Sequence, residues 1–182
     1  MDSFYINETL FNGAPEDKRN DREMRCYEKL GSLGIAYTRV DHDAAATIEM
    51  CLSVEKVLGT EICKNLLLCN SQKTKFYMLL MPGAKPFKTK DLSKQINSAR
   101  LSFAPAEAME ALVDIHPGSL SVLGLMNDKQ NEVTLIIDKD LLKDESIGCH
   151  PCENTSTLKI RTDDILNVFL PHVNHAPLFV EL

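Results

Sequence analysis

Gly118-Ser-Leu-Ser-Val-Leu-Gly-Leu-Met-Asn-Asp128, then the apolar run Val133-Thr-Leu-Ile-Ile-Asp138, then Cys149-His-Pro-Cys-Glu-Asn-Thr-Ser-Thr-Leu-Lys-Ile160, are the stretches on which the reading of this chain turns. Pro117-Gly118 is turn chemistry leading into an apolar run at 120–126, which predicts a buried strand. A second turn at 127–131 leads into a strand at 132–138, and the two strands are expected to pair as a hairpin. Two further short strands, 146–149 and 157–161, enclose the polar loop His150-Pro-Cys-Glu-Asn-Thr-Ser156.

Outward from this segment, Pro105 suits the first turn of a helix reaching Val113, and Thr89 can cap a short helix through Ile96. Residues 63–69 and 75–81 are apolar runs separated by Asn-Ser-Gln-Lys-Thr, a pattern of strand, loop and strand that predicts a hairpin closed by Pro82-Gly83. Thr47 is placed to cap a helix over 48–58, with Gly59 just past its end. A strand is expected at 35–40, and Met24, Tyr27, Leu30 and Leu33 recur at helical spacing within 16–33. Thr162, with Asp163 and Asp164 in the first turn, starts a last helix closed by Pro171. Residues 1–15 lack a period and read as a loosely ordered arm, leaving 16–182 as the domain. Strands interleaved irregularly with short helices predict a single α/β domain, a mixed and mainly antiparallel curved sheet flanked by helices.

Composition narrows the function. No apolar run approaches the roughly 20 residues of a membrane helix, and Met1-Asp-Ser-Phe-Tyr has no basic segment before an apolar one, so a cytoplasmic protein with no membrane partner is expected. The formal charge is −6, yet residues 64–100 carry +7, seven lysines and Arg100 against Asp91, leaving −13 elsewhere. That segment is either a solvated lysine-rich surface or a phosphate-binding face. The absence of Trp and the 6% aromatic content weigh against an extended stacking platform for single-stranded nucleic acid. Cys149-x-x-Cys152 has metal-knuckle or redox spacing but no second pair to complete four ligands. His150 stands before a proline in a polar loop, as a ligand, a proton carrier or a turn residue. Lys64-Asn65 opens an apolar run, where the lysine either snorkels to solvent or holds a cation at a cleft.

The order and spacing of Lys64-Asn-Leu-Leu-Leu-Cys-Asn70, Phe76-Tyr-Met-Leu-Leu-Met-Pro-Gly83, Arg100-Leu-Ser-Phe-Ala104, Pro117 to Asp128 and His150-Pro-Cys-Glu-Asn-Thr-Ser-Thr157 closely resemble one family. It is the YbaK/ProX-type aminoacyl-tRNA deacylases, related to the editing domain of prolyl-tRNA synthetase and including freestanding Ala-tRNA(Pro) deacylases and PrdX proteins. The resemblance implies a trans-editing hydrolase without a cofactor or metal, acting on mischarged tRNA(Pro), with alanine the expected misplaced amino acid. Its partners would be the tRNA acceptor end and, transiently, prolyl-tRNA synthetase. It implies catalytic roles for Lys64, Gly118, Ser119 and His150. Asn65, Leu120, Ser121, Val122 and Asn154 would bind substrate. Backbone N–H groups around Gly118 and Ser119 would serve as oxyanion donors. Many relatives carry G-x-x-x-P in the glycine loop, whereas this chain has Val122 at the last position. That departure keeps open a second reading, a non-catalytic sensor of aminoacyl-tRNA or proline on the same fold.

Overall fold

A computed structural model describes residues 4–182. Among these residues nine strands form two sheets: β1 (Phe11–Asn12), β2 (Tyr37–Asp41), β3 (Lys64–Asn70), β4 (Phe76–Met81), β5 (Leu101–Phe103), β6 (Val133–Asp138), β7 (Ser146–Cys149), β8 (Ser156–Arg161) and β9 (Leu178–Val180). One sheet has the order β1-β2-β8-β7 and is antiparallel throughout; the other has the order β5-β3-β4-β6-β9. In the second sheet β3 pairs antiparallel with β4 and β5, while β6 lies parallel to both β4 and β9. The mixed, mainly antiparallel architecture expected from the sequence is present, divided between two sheets. Among the described residues, no helix is long and apolar enough to cross a membrane.

Helix α1 (Asp21–Ser32) is capped by Asn20, whose side chain accepts from the Glu23 N–H, and its Cys26, Tyr27 and Leu30 stripe enters the main core. Helix α2 (Ile48–Leu58) has the anticipated ends: Thr47 accepts from the Met50 N–H, and Gly59 turns left-handed at φ 69°. Helices α3 (Thr89–Gln95) and α4 (Ala106–Val113) follow. At the C-terminus, α-helical turns at Thr162–Asp164 and Leu170–His172 flank a π-helical segment, Ile165–Phe169.

The unbroken apolar character of β3 has a simple cause. Leu67 faces the main core while Leu68 faces a second cluster beneath α3 with Leu92 and Leu101, so both faces of the strand are covered. A third cluster joins α2 to β2 through Val40, Val54 and Leu58, with Phe4 and Ile6 packed against it.

Three sequence expectations change. Residues 120–126 do not make a strand paired with β6: Val122–Met126 is a 3-10 helix whose five residues are all buried, begun by the Ser121 hydroxyl accepting from the Leu123 N–H. A short all-apolar run carries no period to separate the two conformations, and the place beside β6 goes to β4 and β9. The arm is also more ordered than its sequence suggests. Phe11–Asn12 pairs with β2, Ile6 bridges to His42, and the Asn7 N–H donates to the Asp41 carbonyl at 2.9 Å. Residues 1–3 of that expected arm lie outside the described residues. Finally, α1 begins later than the periodic stretch because Asn20 captures its first turn.

The two sheets are stitched where Ile62 bridges Gly148 in parallel, with Gly148 N–H to the Glu61 carbonyl at 2.8 Å and Cys63 N–H to the Gly148 carbonyl at 2.9 Å. A Cβ at Gly148 would stand 2.9 Å from the Glu61 carbonyl oxygen and 3.0 Å from the Ile62 Cα, both backbone. Gly148→Ala is therefore expected to lower stability by about 1–3 kcal/mol, read as a lower urea midpoint at unchanged m-value. A midpoint equal to wild type would show that the seam yields without cost.

Candidate active site

The seam holds the start of β3 beside the end of β7, and two cavities open on either side of it. The first, about 300 Å³, is lined by Cys63, Asn65, Gly118, Leu120 and His150. The second, about 820 Å³, lies between α2 and the turn after β4 and is lined by Lys64, Lys85, Ile48 and Leu52. Because side chains alternate along a strand, Lys64 and Asn65 look into different cavities. Lys64 thus stands on the partition, with its Nζ donating to the Lys85 carbonyl at 2.7 Å. Lys85 in turn pairs with buried Asp138 at 2.7 Å and with Asp140 at 2.6 Å.

The glycine loop begins as a tight turn. The Ser119 N–H donates to the His116 carbonyl at 3.1 Å, and Gly118 at φ 92° holds the third position, as a type II turn with Pro117 second requires. His116 is held in place from α1 and α4: its Nε2 accepts from Arg22 at 2.6 Å, and its Nδ1 donates to Glu110 at 2.9 Å. Asp114, paired with Arg22 and Arg25, completes this anchor.

The turn reassigns the amides. Ser119 N–H, expected as an oxyanion donor, is spent inside the turn. Among the described residues, the N–H groups of Gly118 and Leu120 have no acceptor, and both residues line the first cavity. Ser121 and Val122 lie wholly buried beneath the loop and do not line the cavity. Val122 is the first residue of the 3-10 turn, a position that proline fits at a helix start and valine also accepts.

The polar loop is fastened to the glycine loop through Asn154, whose backbone N–H donates to the Ser119 hydroxyl at 3.0 Å. The Asn154 side-chain amide is committed elsewhere: it donates to the Ala45 carbonyl at 3.1 Å and accepts from the Ala45 N–H at 3.2 Å. Asn154 is thus a clamp joining three segments, in place of the substrate contact expected of it. Asn65 donates from Nδ2 to the Cys63 carbonyl at 3.0 Å, while its Oδ1 is buried without a partner among the described residues. Reversing the amide would set Oδ1 against that carbonyl, so the orientation is chemically determined.

His150 lines the cavity together with Cys63, the other titratable residue there. Its Nδ1 donates to the Ser156 carbonyl at 3.0 Å, which leaves Nε2 as the lone-pair nitrogen. Burial pushes its pKa down to about 4, outweighing the Ser156 bond, so the ring is neutral at pH 7. His42 packs 6.3 Å away, its Nε2 accepting from Thr157 at 2.8 Å, and burial lowers its pKa as well.

A stability signature follows from these shifts. Above pH 6.5 the folded and unfolded chains both carry His150 neutral; between 6.5 and about 4 the unfolded chain takes up a proton that the folded one refuses. Stability therefore falls as pH drops through that window, by up to about 3 kcal/mol from His150, with His42 acting in the same direction. In His150→Gln the loss of stability between pH 7 and pH 5 should shrink; an unchanged loss in urea titrations would remove His150 as its source.

The cysteines take no part of this kind. All six are free thiols. Cys152 lies buried with its Sγ 3.2 Å from that of Cys26, and burial pushes the Cys63 thiol up to about 12 and the Cys149 thiol well above its ordinary value. Among the described residues no group of three or more His, Cys, Asp or Glu side chains is arranged to hold a metal ion. Cys149-x-x-Cys152 thus has packing for its explanation.

Comparison with known proteins bears on the family and the fold. The family model for the aminoacyl-tRNA editing domain matches residues 42–168. The chain is 28% identical over 145 residues to the prolyl-tRNA editing protein ProX of Acetoanaerobium sticklandii, covering 80% of this chain and 88% of that one. It is 27% identical over 169 residues to prolyl-tRNA synthetase associated domain-containing protein 1 of Danio rerio, covering 92% and 89%. A crystal structure described as a candidate trans-editing enzyme for prolyl-tRNA synthetase superposes with a TM-score of 0.66 at 13% identity, covering 91% of this chain and 99% of that one. The last likeness concerns the fold alone.

Proposed function

The chain belongs to the aminoacyl-tRNA editing domain family, and from that premise we propose that it is a trans-acting deacylase that clears alanine from mischarged tRNA(Pro) in the cytoplasm. The observation that carries the reading is the wall of the first cavity, where two unpaired amide N–H groups, at Gly118 and Leu120, accompany the neutral His150 imidazole.

Water adds to the ester carbonyl carbon, and the Gly118 and Leu120 N–H groups bind the oxygen as it becomes negative. His150 Nε2 accepts a hydrogen bond from the attacking water. Collapse breaks the bond from the carbonyl carbon to the ribose oxygen, which takes up the proton, releasing free amino acid and tRNA. An aminoacyl ester is already activated, so a weak base suffices. Lys64, on the partition, has only one hydrogen bond, to the Lys85 carbonyl, to give up before its ammonium can meet the acceptor-end phosphate or the developing oxyanion. Lysines of the 64–100 segment supply long-range attraction for the acceptor stem, and prolyl-tRNA synthetase is a transient neighbour.

A cavity of about 300 Å³ that must also admit ribose favours a small side chain. Steric exclusion is strong against larger residues but distinguishes one methylene by only about 1–3 kcal/mol. Initial rates on alanyl-, cysteinyl- and prolyl-tRNA(Pro) test the preference. Alanine is expected fastest, and a higher kcat/KM on prolyl-tRNA(Pro) would overturn it.

A further inference from the structure

A chain of buried hydrogen bonds runs from His150, in the wall of the first cavity, to His42, which stands outside that wall. The direction of each proton in the chain is set from its far end. His42 Nδ1 lies 2.7 Å from the Asp43 carbonyl, which only accepts, so Nδ1 carries the proton. Burial lowers the pKa of His42, the ring is neutral at pH 7, and Nε2 is left as an acceptor. The Thr157 hydroxyl, 2.8 Å away, therefore gives its single proton to His42. Toward His150 Nδ1, at 3.3 Å, the hydroxyl then offers only a lone pair. His150 Nδ1–H thus meets two acceptors, this oxygen and the Ser156 carbonyl at 3.0 Å, and Nε2 keeps its lone pair.

His42 is itself fixed by its backbone. Its N–H donates to the Thr155 carbonyl at 2.9 Å, Ile6 bridges to it, and the next residue, Asp43, donates its N–H to the Tyr5 carbonyl at 3.0 Å. Thr157 is wholly buried, and among the described residues its hydroxyl has His42 and His150 alone as hydrogen-bond partners. A hydroxyl so placed, deprived of His42, has one ring nitrogen left to which it can donate. Donation to His150 Nδ1 requires the proton of His150 to sit on Nε2 instead. Neutral histidine in water favours that Nε2–H form, so the site holds the tautomer that the free side chain does not prefer. We propose that His42 is a positioning residue for the reaction: acting through Thr157, it keeps His150 Nε2 free of a proton. The inference rests on the function proposed above, in which Nε2 receives the hydrogen bond of the attacking water.

Tautomer and rate are read separately. Long-range nitrogen–proton correlation spectra of the isotope-labelled, substrate-free protein at pH 7 report which ring nitrogen of His150 carries the proton, its signals being those lost in His150→Phe. Wild type should show Nδ1–H. In His42→Leu the Nε2–H form should appear, and kcat on Ala-tRNA(Pro) should fall by about 5- to 50-fold at similar KM, the worth of one misdirected buried hydrogen bond. His42→Met is expected to behave alike and takes its place if the leucine variant does not fold. The decisive protein combines His42→Leu with Thr157→Val. Without the hydroxyl nothing misdirects the ring, so Nδ1–H and most of kcat should return, whereas a merely structural loss would deepen with the second substitution. Nε2–H in wild type, an unchanged tautomer in His42→Leu, or a double variant no faster than His42→Leu overturns the proposal. If the tautomer shifts as described while no form, wild type included, hydrolyses the ester, the positioning role stands and the deacylase reading falls.

Discussion

Lys64→Ala should lower kcat/KM for hydrolysis of Ala-tRNA(Pro) by about 10²- to 10³-fold, the range expected when one preorganised group that stabilises developing charge is removed. Among the described residues the side chain makes one hydrogen bond, from Nζ to the Lys85 carbonyl, at a partly exposed site. Deleting it should leave stability within about 1 kcal/mol of wild type, so the loss of rate cannot be blamed on unfolding. Lys64→Arg should recover only part of the activity, because a guanidinium is a wider, planar fork and cannot replace a compact ammonium on a narrow partition. Raising salt should slow wild type more than Lys64→Ala if the ammonium meets phosphate. Wild-type kinetics in Lys64→Ala would contradict the assigned role.

His150→Phe is the second large effect. Phenylalanine keeps a planar ring, somewhat larger than imidazole, and removes the acceptor together with the bond to the Ser156 carbonyl, so kcat should fall by about 10²- to 10⁴-fold with a smaller change in KM. The pH profile distinguishes this role from that of an ordinary histidine base. With a folded pKa of about 4, wild-type activity should be level from pH 5 to 8 with no limb near 6.5. A limb near 6.5 that disappears in His150→Phe would mean that the ring titrates freely and would contradict the buried, neutral assignment.

How far the sequence carried these conclusions depends on whether the signal is local. Thr47 and Gly59 bounded α2 to the residue because a cap and a left-handed stop are both written into single side chains. The hairpin of β3 and β4 was equally legible. Val122–Met126 was not, since five consecutive apolar residues suit a strand or a buried 3-10 turn equally. The parallel place of β6 between β4 and β9 depends on partners far away in the chain.

The same division runs through the site. That Gly118 and His150 share one cavity was implied by the family resemblance alone, and the Asn154 to Ser119 bond is the physical reason they meet. The opposite directions of Lys64 and Asn65 were available from the two-residue alternation of a strand. The loss of the Ser119 amide to the His116 carbonyl was implicit in the Pro-Gly turn. Nothing local pointed to Leu120 N–H as a free donor or to the partnerless Asn65 oxygen, because both depend on which groups the rest of the fold leaves unpaired.

The most direct measurement is the lifetime of the ester bond in Ala-tRNA(Pro) with and without catalytic amounts of the wild-type protein, beside Pro-tRNA(Pro) as control. The account predicts that Ala-tRNA(Pro) is discharged with multiple turnovers while Pro-tRNA(Pro) decays at its spontaneous rate. Binding of the charged tRNA with no shortening of either lifetime would contradict it and leave a sensor on an editing-domain fold.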